Sequence, residues 1–169
     1  MFKKSFFIFL DFYISIKAKE FIESVIFPLI FTLITFFLQG KNLNAEFKNS
    51  FNDSILTIAS FLIAFSICAV TLLFSSSGKN IEKAKTKMTE NRKNYKKQLI
   101  SYFQLIQIRS YYNVIMEFLL FVLTIIYKLF SSGFNLDGLF YINLFLIIHI
   151  LCILCFVIIH MYHLSWKNE

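Results

Sequence analysis

Four long apolar stretches constrain this chain more than any other feature of its sequence. They run over residues 21–38, 55–75, 111–130 and 139–164, and each is close to the roughly 20 residues that a membrane-spanning helix needs. Lipid offers no partner to a backbone N–H or C=O group, so such segments are expected to be helices packed together. The sequence therefore predicts an all-α fold, an integral membrane four-helix bundle.

Little of the chain is left outside these spans. The chain has 169 residues, of which 57% are hydrophobic, and no separate soluble domain fits between the spans. The expected division is an N-terminal interfacial segment over 1–20, spans one and two over 21–76, a basic cytoplasmic segment over 77–109, and spans three and four with a short tail over 110–169. No nucleophile, cofactor motif or metal-ligand cluster accompanies the polar residues. We expect no enzyme, no cofactor and no metal site.

Lysine and arginine are distributed unevenly among the connections. Nine lie between spans two and three and four more in the first 20 residues, whereas the first external loop has two and the second has none. The positive-inside rule then places both termini and the long connection in the cytoplasm. The abundance of Phe, Lys, Asn and Ile suggests an AT-rich bacterial genome, and hence the bacterial inner membrane.

The first 16 residues resemble a signal peptide only in part. A lysine pair precedes an apolar run, but residues 15–19 are basic where a cleavage site has small residues. The run is also too short to span a bilayer. We expect an interfacial helix on the inner leaflet, with a retained signal anchor as the alternative.

One face of span two is small and weakly polar from end to end. At helical spacing this face brings together Thr57, Ser60, Ala64, Cys68, Thr71 and Ser75. Small residues allow helix backbones in a membrane to approach closely. The face predicts either a tight helix–helix seam or a stripe that lines a wet path between protomers.

Ionisable and amide side chains form a second polar group in the later spans. Span three carries Asn113, Glu117 and Thr124 on one face, and span four carries His149 near its middle. An ionisable group at this depth must avoid lipid, so we assign these residues to the pore or inter-helix seam as well. A partner for Glu117 is expected among the hydroxyls of span two, a histidine of span four, or the same residue of a neighbouring chain. Functional and purely structural roles for it remain open.

The basic connection has helical periodicity on both sides of a polar run at 90–94. Apolar residues recur at intervals of three or four, which predicts an antiparallel helical hairpin with a polar tip. Its basic side chains, with one aromatic able to stack on a base, form a candidate site for an anion or nucleic acid: Lys83, Lys87, Arg92, Lys93, Tyr95, Lys96 and Lys97. The alternative is that these charges hold the loop inside and touch anionic headgroups.

The region 55–130 resembles a known class of small membrane proteins. The run ILTIASFLIAF from Ile55, continued through Ser75-Ser76-Ser77, and the segment 95–109 leading into span three are similar in hydrophobic pattern, length and topology to four-helix membrane proteins of bacterial anti-phage operons. The Hailong membrane effector is the nearer type, and the Kiwa membrane subunit is less close. The resemblance carries no binding residues across.

The two types imply different functions. A Hailong-like protein would be a channel-like homo-oligomer, a tetramer, held inactive by single-stranded DNA oligomers that a partner nucleotidyltransferase makes. A Kiwa-like protein would be a membrane sensor that works with a cytoplasmic DNA-binding partner. We therefore expect an ion-conducting effector, opened under control of an anionic ligand at the hairpin, that depolarises the membrane and arrests growth. The alternative is a non-conducting sensor or scaffold.

Overall fold

Four long apolar helical segments dominate the structure, a computed structural model that describes residues 2–39, 43–75, 78–131, 133–134 and 136–166. Within these residues, the segments long and apolar enough to cross a membrane are Ala18–Leu38, Ala45–Ser75, Tyr102–Phe130 and Asp137–Tyr162. The expectation of a mostly helical, multi-pass membrane protein is confirmed. The cytoplasmic location of the termini remains a prediction.

The described elements follow one another with short connections. They are α1 Phe2–Ser15, α2 Ala18–Phe21, a π-helical turn Ile22–Ile26, α3 Phe27–Gln39, α4 Ala45–Ser75, α5 Lys79–Thr86, β1 Met88–Lys93, β2 Leu99–Ser101, α6 Tyr102–Phe130 and α7 Asp137–Trp166. The helix α2, the π-helical turn and α3 together form the first span. Residues 76 and 77, between α4 and α5, lie outside the described residues, and α5 begins directly after Gly78.

The helix α6 is the centre of the bundle. It packs along α4 on one side and α7 on another, while α1 and α5 cover its N-terminal half and α3 packs on α7. Ile55, Ala59, Leu120 and Ile150 form the middle of the apolar core. Since lipid tails are as apolar as these side chains, close packing and polar contacts decide which helix faces meet.

The predicted helical hairpin is wrong in its second half. Its first arm, α5, is helical, but β1 and β2 then form an antiparallel two-stranded sheet. The described part of the chain is therefore mostly helical, as predicted, but includes one two-stranded sheet. The turn lies at 94–98 instead of the expected tip at 90–94. Of the apolar residues whose spacing suggested two helical arms, only Met88 and Leu99 lie in the strands, and the others belong to α5, the turn or α6.

Asparagine and backbone geometry explain why a β-hairpin forms here. Asn94 closes the turn, because its Oδ1 accepts from the Gln98 N–H at 2.9 Å and its carbonyl accepts from the Lys97 N–H. Lys97 and Asn91 have φ values of 62° and 60°, which suit a hairpin turn and an irregular strand but interrupt a helix. Thr89 Oγ1 donates to the Ile100 carbonyl and fastens the two strands.

The N-terminal helix α1 packs against α6. The sequence predicts a contact with the inner leaflet but not this contact with the bundle. Phe12 is 2% exposed and stacks on Tyr112 of α6, with ring centroids 3.8 Å apart. Phe6 and Ile14, on the other side, are exposed. This segment thus packs on α6 through Phe12, and its position at the inner leaflet remains a prediction.

Ser101 is the last residue of β2 and the N-cap of α6, so its substitution tests the junction between the hairpin and the helix. Its Oγ accepts from the Gln104 N–H while the Gln104 side chain accepts from the Ser101 N–H, a reciprocal cap. Ser101→Ala should lower the free energy of unfolding by about 1 kcal/mol, measured by titration with a denaturing detergent. Ser54→Ala on exposed α4 surface should change it by less than about 0.5 kcal/mol. Equal values for the two variants would contradict the cap.

Candidate functional site

Four buried polar side chains lie along the inner face of α6. Arg109, Asn113, Glu117 and Thr124 are each at most 2% exposed, and their spacing places them on one side of the helix. We call these four residues the polar column. They extend over about 22 Å of the helix axis, a large part of a bilayer core.

Glu117 occupies the middle of the polar column. Its Oε1 accepts from Ser66 Oγ of α4 at 2.8 Å and from Asn113 Nδ2 at 2.7 Å. The expectation of a span-two hydroxyl as partner therefore matches the contact in the structure. Both of these hydrogen-bond donors to the carboxyl are neutral groups.

A second polar group lies at the opposite end of the bundle from the hairpin. Asn143 Nδ2 of α7 donates to Asn52 Oδ1 of α4 at 2.9 Å, and both residues are buried. One turn away, the ammonium of Lys48 pairs with Asp137. The sequence predicts a loop at Lys48, but α4 begins ten residues earlier than the predicted span and carries this lysine into the bundle.

Apolar packing separates this end group from Glu117. Ile55 and Ala59 of α4, Leu120 of α6 and Ile150 of α7 are buried between them, and the Thr124 hydroxyl donates to the Leu120 carbonyl. The arrangement is therefore closed to ions at this level. A conducting state needs these helices to move apart or rotate.

His149 hydrogen-bonds a backbone carbonyl of the first span that a proline leaves without its helical donor. Pro28 has no backbone N–H, so the Ser24 carbonyl lacks its usual helical donor. His149 Nδ1 donates to that carbonyl, which leaves Nε2 to accept from the Tyr112 hydroxyl at 3.0 Å. The Tyr13 hydroxyl of α1 lies 3.2 Å from that of Tyr112. Through these contacts His149 connects α7 to α1, to the first span and to α6.

The small face of α4 points away from the chain's own bundle. All six of its residues are exposed in the single chain: Thr57, Ser60, Ala64, Cys68, Thr71 and Ser75. At about 100° per residue, Ser66 lies about 180° from Thr57, and Ser66 is the residue that touches Glu117. A seam within one chain is therefore not what this face forms. The small face of α4 and the polar column of α6 also cannot line one path, because the body of α4 lies between them.

The hydroxyls of this face are already bonded within α4. Thr57, Ser60 and Thr71 each donate to the carbonyl four residues earlier, at 2.8–3.1 Å. Such bonds remove the need for a partner on another helix. The small size of these residues, more than their polarity, is what the face offers to a neighbour.

A cluster of charges ties the hairpin to the helices. The Glu20 carboxylate accepts hydrogen bonds from both terminal nitrogens of Arg92 at 2.8 Å and from Arg109 Nη2 at 2.8 Å. Arg92 also donates to the Ser15 carbonyl, and Arg109 Nη1 lies 3.2–3.3 Å from the ring nitrogens of His160. We call Glu20, Arg92 and Arg109 the charge cluster. It joins α2, β1 and α6 in one place.

Two residues expected to bind a ligand are occupied inside the chain. Arg92 is 9% exposed and committed to Glu20. The Tyr95 ring stacks on Phe7 of α1 at 4.7 Å, and its N–H donates to Asp11 Oδ1 at 2.7 Å. In this arrangement neither is presented to an external anion or base.

The remaining basic residues of the predicted site are on the surface. Lys83, Lys87, Lys93, Lys96 and Lys97 are all exposed. Lys93, Lys96 and Lys97 lie at or next to the turn of the β-hairpin, where Lys96 stands 5.6 Å from the Tyr95 ring. Lys83 and Lys87 are in or just after α5. The structure thus leaves a smaller, purely lysine surface as the candidate anion site.

Sequence reasoning missed Glu20, the residue on which the charge cluster depends. A signal was present, since the 17 basic residues include just two arginines, Arg92 and Arg109. Arginine suits buried ion pairs better than lysine does, because its planar fork makes several bonds to one carboxylate. Both arginines pair with Glu20. The contact between Asn52 and Asn143 gave no comparable signal, because a single asparagine in an apolar helix does not indicate which distant residue it will pair with.

Comparison with protein families, with curated proteins and with solved structures finds no match to this chain. Among the residues that the structure describes, no three His, Cys, Asp or Glu side chains are grouped so as to hold a metal ion. Cys68, Cys152 and Cys155 are not disulfide-bonded.

Removal of the Glu20 charge tests the charge cluster. Glu20→Gln leaves two buried guanidinium groups without a counter-charge and should lower the free energy of unfolding by about 3 to 5 kcal/mol, measured by denaturing-detergent titration. The matched control is Glu23→Gln, since Glu23 is exposed and lies 3.9 Å from Lys19; it should cost less than about 1 kcal/mol. Similar losses in both variants would show that Glu20 has no special role.

Proposed function

We propose that this chain is a homo-oligomeric ion-conducting effector in the bacterial inner membrane, acting in anti-phage defence. An anionic ligand, a nucleic acid or a nucleotide, controls its opening from the exposed lysines of the β-hairpin. Opening depolarises the membrane and arrests growth. The defence role comes from the resemblance of 55–130 to anti-phage membrane proteins, whereas conduction and control rest on the geometry.

The polar column is the observation that carries the conduction proposal. Buried ionisable and amide groups are costly in a bilayer, and where they occur they typically mark ion or proton paths. Here they recur along the interior of one protomer, from Arg109 through Glu117 to Thr124, with Asn52 and Asn143 beyond. The path we propose lies inside each chain, between α4, α6 and α7, and is closed by the apolar layer around Leu120.

The charge cluster supports control from the hairpin. Arg92 is on β1 and Arg109 is the first member of the polar column, and both hold the same Glu20 carboxylate. A phosphate-rich ligand on the exposed lysines of the same hairpin adds negative charge near these buried ion pairs and changes the electrostatic balance between Glu20 and the two guanidinium groups. A shift of the hairpin then moves α2 and α6 together, which biases the closed and open arrangements.

The outer face of α4 supports assembly with further copies of the chain. Its residues are small and exposed, and no other helix within the described part of the chain covers Thr57, Ala64 or Cys68. Small residues let two helices approach closely in lipid, where packing drives association. A homo-oligomer joined through this face brings several lysine hairpins to one side of the membrane, and clustered lysines attract anions more strongly than one hairpin does.

Removal of the lysines at the hairpin turn tests ligand control. Lys93→Gln, Lys96→Gln and Lys97→Gln together should weaken binding of a single-stranded DNA oligonucleotide by at least about tenfold, since each lysine next to an anion contributes about 1 kcal/mol. Oligomer size in detergent should not change. In liposomes, the same variant should lose the response of ion flux to the oligonucleotide.

The control variant removes three charges outside the hairpin: Lys17→Gln, Lys19→Gln and Lys79→Gln. It should keep the binding and the flux response of the unmodified protein. A monomeric protein without flux, ligand present or absent, would overturn conduction and leave a scaffold or sensor. Equal binding by the hairpin variant and the control would overturn the assignment of the ligand surface.

A further inference from the structure

Two buried acceptor atoms at the centre of the polar column lack a donor. Glu117 Oε1 has two donors, Ser66 Oγ and Asn113 Nδ2, but Glu117 Oε2 has no partner among the described residues. Asn113 Oδ1 is likewise unpaired there, and the Glu117 and Asn113 side chains are 0% and 1% exposed. An unpaired acceptor so far from water is costly. The site therefore requires one more hydrogen-bond donor.

A small cavity adjoins Asn113. It has a volume of about 20 Å³ and lies between α4, α6 and α7, with Asn113, Ser66 and Ser110 as its polar lining and Leu154 and Val157 among the apolar side chains around it. One water needs about 10 to 15 Å³ and several polar partners. The cavity thus suits a single water molecule beside Asn113 and Ser66, the two residues that donate to Glu117 Oε1, and is too small for a hydrated ion.

We propose that Glu117 is a proton-binding site in the membrane interior, with the Asn113 carbonyl oxygen as the partner of the bound proton, reached directly or through one water. A proton on Oε2 turns this acceptor into a donor, so that Oε2 and Asn113 Oδ1 satisfy each other. When the proton leaves, both acceptors are unpaired again. The inference rests on the proposed function, since it names the proton as the ion that moves along the polar column.

A metal cation fits these atoms less well. Hard cations take about six or more oxygen ligands, whereas the oxygens available here are Glu117 Oε2, Asn113 Oδ1 and the hydroxyls of Ser66 and Ser110. The amide nitrogen of Asn113 also points a donor at the carboxyl. A proton needs one acceptor on each side, which the site provides.

Charged neighbours do not supply the missing donor. On α6, Arg109 and Lys128 lie about 12 and 16 Å from Glu117 along the axis, and they pair with Glu20 and Asp53. On α7, His149 is bonded to Ser24 and Tyr112 and His160 to Arg109. Among the described side chains, the other titratable groups on helices packed against α6 are Asp11 and Tyr13 on α1, Glu46, Lys48, Asp53 and Cys68 on α4, Lys79, Glu82, Lys83 and Lys85 on α5, and Asp137, Tyr141, Cys152, Cys155 and Tyr162 on α7.

The chemistry of carbodiimides tests this site without reference to ion flux. Dicyclohexylcarbodiimide is apolar and reacts with carboxylic acids in the protonated form, so it should label Glu117 of the full chain in liposomes. Labelling, read by mass spectrometry of the Glu117 peptide, should fall about tenfold per pH unit once the carboxyl ionises. Glu117→Gln should carry no label, and exposed Glu23 should remain unlabelled in both proteins.

Folding of the variant is checked independently. In Glu117→Gln, the new side-chain amide can donate to Asn113 Oδ1 as the protonated acid does, so this variant should elute at the same oligomer size as the unmodified protein. If a correctly assembled protein shows no label on Glu117 between about pH 5 and pH 9, the proposal is overturned. If sodium chloride slows labelling relative to choline chloride at fixed pH, a metal cation occupies the site, which also overturns it.

Proton flux in the same liposomes separates this inference from the proposed function. Labelling that abolishes flux in the unmodified protein, together with loss of flux in Glu117→Gln, supports both. Labelling of Glu117 with a flux that is carried by another ion and unaffected by the label supports the binding site but overturns the proton as the conducted ion. Labelling without any flux supports the binding site and overturns conduction.

Discussion

The ion pairs of the Glu20 carboxylate are the interaction on which the packing of the hairpin against the helices depends. The carboxylate pairs with both arginines of the protein, one from the β-hairpin and one from the central helix. Burying three charged groups costs free energy through desolvation. The bidentate Arg92–Glu20 pair offsets this cost, together with the hydrogen bonds from Arg92 to the Ser15 carbonyl and from the Lys17 backbone N–H to Glu20. This cluster fixes where the hairpin lies relative to the spans. Without it, the hairpin would be held by its aromatic and Asp11 contacts with α1 and by the chain itself.

The cluster also connects the surface to the membrane interior. Arg109 belongs to the charge cluster and to the polar column, and Asn113 and Glu117 follow it at intervals of four residues along the same helix. The hairpin is therefore linked to the residues beside Glu117 through a single helix. Ser66 lies opposite the small face of α4, so one side of this helix contacts the Glu117 carboxyl and the other is exposed in the single chain.

Sequence alone predicted the spans because twenty apolar residues in lipid have few alternatives to a helix. It also identified Asn113, Glu117, Thr124 and His149, whose buried positions follow from the cost of polar groups in lipid. It failed at the hairpin, where the turn at Asn94 and the left-handed Lys97 outweigh an apolar spacing that suits a helix. The pairs Glu20–Arg92 and Asn52–Asn143 join residues 72 and 91 positions apart. No local pattern encodes such contacts, because they depend on which helix faces meet.

In the proposed function, ions pass through the interior of each protomer and not along the outer face of α4. Cysteine accessibility during conduction tests this path most directly, in a protein whose native cysteines are replaced by serine. A water-soluble thiol reagent should block flux through Thr124→Cys, in the polar column, and leave flux through Thr57→Cys, on the outer face, unchanged. Block at residue 57 with no effect at residue 124 would place the path between protomers and contradict the account.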